Sequence, residues 1–208
     1  MINECELKFR IVDEDQNVFL HKKVQDIGAC FVDYRQETDY VIDLDQINDK
    51  GKGMMLRIRQ IYSHDILQDV LITLKIPNKS NYCLNNAEIE YSLEKQNDQN
   101  IIQINNILLN SLGMQIRFDL LILKDANVHT VLEKENLIKY VLEYSKQREE
   151  YRFESCKILF DSFVDSIGDF IEIEAKSEIE LKNMLQILQL NYEDCEKRNY
   201  GRILRDGF

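Results

Sequence analysis

The residues best able to do chemistry in this chain are charged, and they recur at every second position. Near the start, Glu4, Glu6, Lys8 and Arg10 share one parity, and Cys5, Leu7, Phe9 and Ile11 the other. LRIR places Arg57 and Arg59 together, against Leu56 and Ile58. VLITLKI sets Thr73 and Lys75 against Ile72, Leu74 and Ile76, and AEIEYSL sets Glu88 and Glu90 against Ile89 and Tyr91. KQREEYRF aligns Lys146, Arg148 and Arg152, KILFD aligns Lys157 and Asp161, and FIEIEAK aligns Glu172, Glu174 and Lys176. Carboxylate pairs are hard oxygen donors suited to divalent cations, and paired Lys and Arg suit a polyanion such as a phosphate chain.

Period-two alternation is the mark of a strand, because successive side chains point to opposite faces. A solvated sheet face usually mixes Thr, Ser, Lys and Glu, whereas these faces are sorted into acidic or basic pairs. Two readings stay open on pattern alone. The charged faces lie in water, as on an ordinary antiparallel sheet. Or the sheet closes into a barrel, the charged faces line its interior, and the apolar faces are covered by helices. The second predicts an α+β fold: an antiparallel β-barrel with a charged interior, covered by amphipathic helices.

Those helices are visible. Gln16–Ile27 carries Leu20, Val24 and Ile27 before Gly28, and Asp98–Leu112 carries Ile101, Ile104, Leu108 and Leu112 before Gly113. Ser177 and Glu180 form a capping box ahead of Leu181, Met184, Leu185 and Leu188. A further helix is expected over Val131–Tyr144. None opens on a glycine-rich phosphate loop.

Composition excludes several function classes. With 208 residues, one proline and no Pro/Ser/Gly-rich linker, the chain reads as one domain over 1–208. Its five cysteines form no CxxC, and its three histidines are scattered. This disfavours a disulfide frame, a zinc site or a Ser-His-Asp triad, and reads as reduced thiols in a cytoplasmic protein. No apolar run is long enough for a membrane span, and Met1 leads almost directly into the first strand, leaving no room for a signal peptide. A net charge of −11 disfavours nucleic acid as the main partner, while a local basic pocket can still take a small anion.

Taken in order, the motifs resemble the CYTH superfamily, the class IV adenylyl cyclases and thiamine triphosphatases, also called triphosphate tunnel metalloenzymes. ECELK resembles the family's E-x-E-x-K, and QETDYVID its Q-x-D-x-Y-F-D with one extra residue. LRIR, TLKIP, EIE and KQREEY are similar to its R-x-R, T-x-K-x-P, central acidic pair and K-x-R-x-x-Y. LFDSFVDSIGDFIEIE resembles its strand–turn–strand, and NYGRIL its closing S-Y segment. In two respects the chain departs from the family. Asn85, Asn86 and Ala87 stand where an arginine usually precedes the acidic pair. The connection from Gly113 to Lys146 is long, and reads as a helical insertion around 114–144. It could be surface decoration, a lid, a homodimer contact or another partner surface.

The resemblance implies an antiparallel tunnel barrel that binds a triphosphate with Mg²⁺ or Mn²⁺. It implies that Glu4, Glu6 and Glu174 ligate metal, with Glu172, Glu88, Glu90 and Asp161 as further ligands or water-positioning groups. It assigns phosphates to Lys8, Arg57, Arg59, Lys75, Lys146 and Arg148, and catalytic roles to Lys75, Tyr40 and Asp161, of which the first two resemble the Tyr/Lys pair of thiamine triphosphatases. The expected reaction is hydrolysis of inorganic triphosphate, ATP or thiamine triphosphate. Cyclisation of ATP is the alternative, and non-catalytic triphosphate or polyphosphate binding the second alternative. If these cations crowd together, Arg59→Ala should raise stability slightly.

Overall fold

The computed structural model of the chain describes residues 2–47, 53–78, 82–96, 98–114, 128–164 and 167–206. Its strands are β1 (Ile2–Ile11), β2 (Cys30–Asp43), β3 (Met55–Ser63), β4 (Ile66–Pro77), β5 (Leu84–Ser92), β6 (Val141–Phe153), β7 (Cys156–Phe163), β8 (Asp169–Ala175) and the short β9 (Cys195–Glu196). The α-helices among the described residues are α1 (Glu14–Asp26), α2 (Asp98–Leu112), α3 (Val128–Lys134), α4 (Glu178–Leu188) and α5 (Tyr200–Asp206). The strands hydrogen-bond in the order β5-β4-β3-β2-β6-β7-β8-β1-β9, and β5 also pairs with β1. An order that returns on itself is that of an antiparallel β-barrel, the architecture expected from the alternation.

The chain divides into two compact units. The first comprises Met1–Ile2, Gln36–Pro77 and Ala87–Tyr144, and the second Asn3–Arg35, Asn78–Asn86 and Ser145–Phe208. In the first unit, Leu56, Ile58, Ile72, Leu74, Ile89 and Tyr91 form the apolar face of β3, β4 and β5. That face packs against Ile104, Leu108 and Leu112 of α2 and Val128, Val131 and Leu132 of α3. In the second unit, Cys5, Leu7, Phe9, Ile158, Phe160, Ile171 and Ile173 pack against Leu20 and Val24 of α1 and Leu181, Met184, Leu185 and Leu188 of α4. In each unit the helical stripe covers the apolar parity, which leaves the charged parity on the other side of the same strands.

Local chemistry sets the helix ends. The side chain of Asp13 accepts from the Gln16 N–H at 2.8 Å, so α1 starts at Glu14, ahead of the expected Gln16. The chain leaves α1 through Gly28 at φ +77°, a backbone region that glycine enters freely. Ser177 caps α4 by accepting from the Glu180 N–H at 3.3 Å.

The helix expected over Val131–Tyr144 is corrected. The helical part runs from Val128 to Lys134, a 3₁₀ turn covers Ile138–Tyr140, and β6 begins at Val141. Asn136 sits at φ +55°, where a right-handed helix cannot continue. Beyond it, Tyr144, Lys146, Arg148 and Glu150 alternate as buried residues of a strand. Residues 115–127 of the expected 114–144 insertion lie outside the described residues.

Candidate functional site

Each unit carries one cluster of buried charge. In the second unit, four strands build it through their registers. Glu6 lies opposite Glu174 and Lys8 opposite Glu172 across β1 and β8. Lys157 lies opposite Glu174 across β7 and β8, and Arg148 opposite Asp161 across β6 and β7. Directly opposed residues of an antiparallel pair share a face. One face therefore gathers Glu4, Glu6, Lys8, Lys146, Arg148, Glu150, Lys157, Asp161, Glu172 and Glu174.

Charge is segregated within this cluster. Two of its cations, Lys146 and Arg148, gather on Asp161, a residue 1% exposed. Arg148 donates through Nε to Oδ1 and through Nη2 to Oδ2, both at 2.6 Å, and Lys146 Nζ reaches Oδ2 at 2.8 Å. The Tyr200 hydroxyl donates to the same Oδ2 at 2.9 Å. Lys8 Nζ and Lys146 Nζ lie 4.4 and 4.9 Å from the centre of the Tyr200 ring, within cation–π range. Burial pushes the Tyr200 hydroxyl well above its ordinary range, reinforced by Asp161 and Glu172, so it stays a donor.

The carboxylates gather separately. Glu4, Glu6 and Glu174 each offer an oxygen within 4.8 Å of the others. Burial opposes the charge on Glu174, but Lys157 and Arg148 outweigh it and hold that carboxyl below its usual range. Glu172 moves the other way. Burial raises it, and Glu6 adds to the rise, against the pull of Lys8 and Arg148. Three hard oxygen donors at this spacing fit a small divalent cation, and nothing in the set favours a soft one.

In the first unit, charge is mostly paired. Arg59 on β3 forks onto Asp39 on β2, Nε to Oδ1 at 2.6 Å and Nη2 to Oδ2 at 2.8 Å, while Nη1 lies 3.0 Å from Glu37. Asp39 and Glu37 have no exposed surface. Lys75 on β4 pairs with Glu88 on β5, and Thr73 donates to Glu90 at 3.2 Å. Arg57 differs. Its Nη2 donates to the Thr73 hydroxyl at 3.4 Å, and its buried Nε has no hydrogen-bond acceptor among the described residues.

Tyr40 is corrected. Its register partner is Ile58, whereas Asp39 is opposite Arg59, so Tyr40 lies on the apolar parity of β2. Lys75 lies opposite Met55, on the parity of Arg57. The expected Tyr40–Lys75 pair would need side chains from opposite faces. Tyr40 instead packs in the apolar core, donates to Gln60 at 3.3 Å and meets the His129 ring edge-on. Burial and Glu143 push its hydroxyl up to about 12. The tyrosine on the charged side is Tyr144 of β6, which hydrogen-bonds Asp39.

Sequence reasoning passed over several members of these clusters. Glu37 and Asp39 share one parity of QETDYVID, and a same-face carboxylate pair beside an R-x-R strand was the available signal. Glu150 shares the parity of Lys146 and Arg148, and takes Arg35 at 3.0 Å and Arg152 at 3.1 Å. Parity along KILFD set Lys157 beside Asp161, but no sequence signal placed Tyr144 in a site.

A family model described as the CYTH domain matches residues 3–197. No curated protein matches the chain. Among solved structures, the PH1012 protein from Pyrococcus horikoshii superposes with a TM-score of 0.62 at 19% identity, over 96% of this chain and 98% of that one. An adenylate cyclase candidate from Vibrio parahaemolyticus gives 0.58 at 19% identity, over 98% of each. An adenylyl cyclase candidate from Hippeastrum, described as having a dominant triphosphatase activity, gives 0.54 at 16% identity, over 100% of this chain and 96% of that one. At these identities the likeness establishes the fold alone. Among the described residues no helix is long and apolar enough to cross a membrane.

Proposed function

The chain belongs to the CYTH domain family, and on that premise we propose that it is an enzyme that hydrolyses the terminal phosphate of small inorganic or organic triphosphates. The family depends in general on a divalent metal. One observation carries the reading: the second unit sets a three-carboxylate cluster on the same strand faces as three buried cations. A site that only bound polyphosphate would need the cations, but not Glu4, Glu6 and Glu174 within 4.8 Å of one another.

Glu4, Glu6 and Glu174 would hold Mg²⁺ or Mn²⁺. That ion supplies neutralisation of charge on the transferring phosphoryl group. Lys8, Lys146 and Arg148 bind phosphate oxygens. Asp161 orients Lys146 and Arg148, and so acts as a positioning residue rather than a base. Glu172, on the strand face shared by Lys8 and Glu174, would orient the attacking water and accept its proton. The water oxygen bonds to the terminal phosphorus, the bond to the bridging oxygen breaks, and orthophosphate and a diphosphate leave. In the first unit, Arg57 is offered to an anion, while Glu88 holds Lys75 and Glu90 accepts from Thr73.

The test incubates pure protein with Mg²⁺ or Mn²⁺ and inorganic triphosphate, ATP or thiamine triphosphate, and identifies products by ³¹P NMR. Orthophosphate with the corresponding diphosphate is expected, and EDTA or Glu6→Gln should abolish it while circular dichroism stays unchanged. Cyclic AMP with pyrophosphate from ATP would make the chain a cyclase. A large melting shift with triphosphate and no product would make it a binding module.

A further inference from the structure

The carboxylate cluster of the second unit already holds a cation of the chain's own. Lys157 Nζ lies 2.5 Å from Glu174 Oε2 and 3.5 Å from Glu4 Oε1. Those are two of the three carboxylates given above to a divalent ion. The contact is built into the fold, because Lys157 and Glu174 are direct partners across β7 and β8.

The two lysines at this cluster are held very differently. Lys8, 3.5 Å from Glu6, is 1% exposed and fixed beside the Tyr200 ring. Lys157 has a side chain 43% exposed, while that of Glu174 is 9% exposed. Lys157 therefore reaches into the cluster from its wet rim. A lysine stem has four rotatable carbons, and its ammonium is strongly hydrated in water. Swinging Nζ outward needs rotamer changes only, with no shift of β7.

We propose that Lys157 is a placeholder cation, which neutralises Glu4 and Glu174 in the metal-free protein and is displaced into solvent when a divalent ion binds. The inference rests on the assignment of the metal to Glu4, Glu6 and Glu174. Three carboxylates this close repel one another unless a positive charge lies among them. With Lys157 present, the metal-free cluster keeps its geometry, and an incoming ion must compete with a tethered ammonium. Metal affinity is then lower than the three carboxylates alone would give.

The experiment titrates Mn²⁺ alone into the full chain, following the free ion by electron paramagnetic resonance, with melting points measured in parallel. Wild type is compared with Lys157→Met, Lys157→Gln, Lys157→Arg and Glu174→Gln. The Met and Gln variants should bind Mn²⁺ more tightly, on the order of fivefold, the scale of a half-exposed ion pair. They should melt lower than wild type without metal and gain more from it. Lys157→Arg should stay near wild type, and Glu174→Gln should lose the ion. If wild type binds Mn²⁺ and the Met and Gln variants bind it no more tightly, the placeholder is overturned while the metal assignment stands. A lower melting point with unchanged affinity has the same meaning: Lys157 is then an ordinary ion pair. If neither wild type nor these variants bind Mn²⁺, the metal assignment falls, and the placeholder with it.

Discussion

The two charged clusters are built from the same residue types on the same kind of strand, yet they distribute charge differently. In the first unit, Arg59 is matched by Asp39 and Glu37, and Lys75 by Glu88. In the second, Lys146 and Arg148 converge on one carboxylate while three other carboxylates collect apart from them. Pairing satisfies buried charge and leaves little to offer a ligand. Segregation in the second is partial, since Lys8 reaches Glu6 and Lys157 reaches Glu4 and Glu174, but it still sets Lys146 and Arg148 on a different carboxylate from the three that an ion would need. Arg57 is the exception in the first unit: it is bonded to a hydroxyl, with no carboxylate of its own among the described residues.

The largest effect should come from removing the carboxylate on which the second cluster turns. Asp161→Ala leaves Lys146 and Arg148 buried without their main partner. Breaking a buried pair from one side costs about 3–5 kcal/mol. For a chain of this size that is a fall of roughly 10 °C in melting temperature, read by circular dichroism. A fall of only a degree or two would mean that those cations find water, and that segregation is not held by Asp161.

Arg59→Ala should come next, with a loss of the same order. It would be somewhat smaller because Tyr144 still donates to Asp39. This reverses the slight stabilisation that crowded cations imply: Arg59 is not repelled by its neighbours but clamped between Glu37 and Asp39. Arg57→Ala sharpens the contrast within one strand. It should leave stability within about 1 kcal/mol, since one long hydrogen bond to Thr73 is lost. If both arginines cost the same stability when removed, pairing is not what distinguishes them.

The smallest effect concerns acid. Glu174 is held below its ordinary value of 4.5 when folded. Its contribution to stability is therefore present above that value and fades as pH falls through it toward the folded pKa. Metal-free protein should lose melting temperature across that window. Lys157→Met should lose less, because the ammonium that lowers Glu174 is gone.

Much of this was legible in the sequence because it is local. Parity along FIEIEAK or LRIR fixes which residues share a face, and the stripes of α2 and α4 follow from spacing within one segment. Tyr40 shows the limit of resemblance. Along QETDYVID, parity alone puts Tyr40 with Thr38 and Ile42, opposite Glu37 and Asp39, whereas likeness to a motif assigns it to Lys75. Tyr144 shows the limit of pattern. A short apolar run fits a helix or a strand equally well, and only the turn at Asn136 decides between them. The pairing of Lys157 with Glu174 depends on the register of β7 against β8, which no single strand encodes.

The Glu4–Glu6–Glu174 group joins β1 to β8, two strands far apart in sequence. Loops of that length close late, since their entropy must be met before the contact returns anything. During synthesis, which proceeds from the amino terminus, Glu4 and Glu6 emerge long before Glu174 exists. A nascent or truncated chain therefore has no complete ion-binding group, however well its first hairpins fold. The ribosome must deliver β8 before that group can be assembled, and a chain cut short ahead of β8 should remain inert toward Mn²⁺.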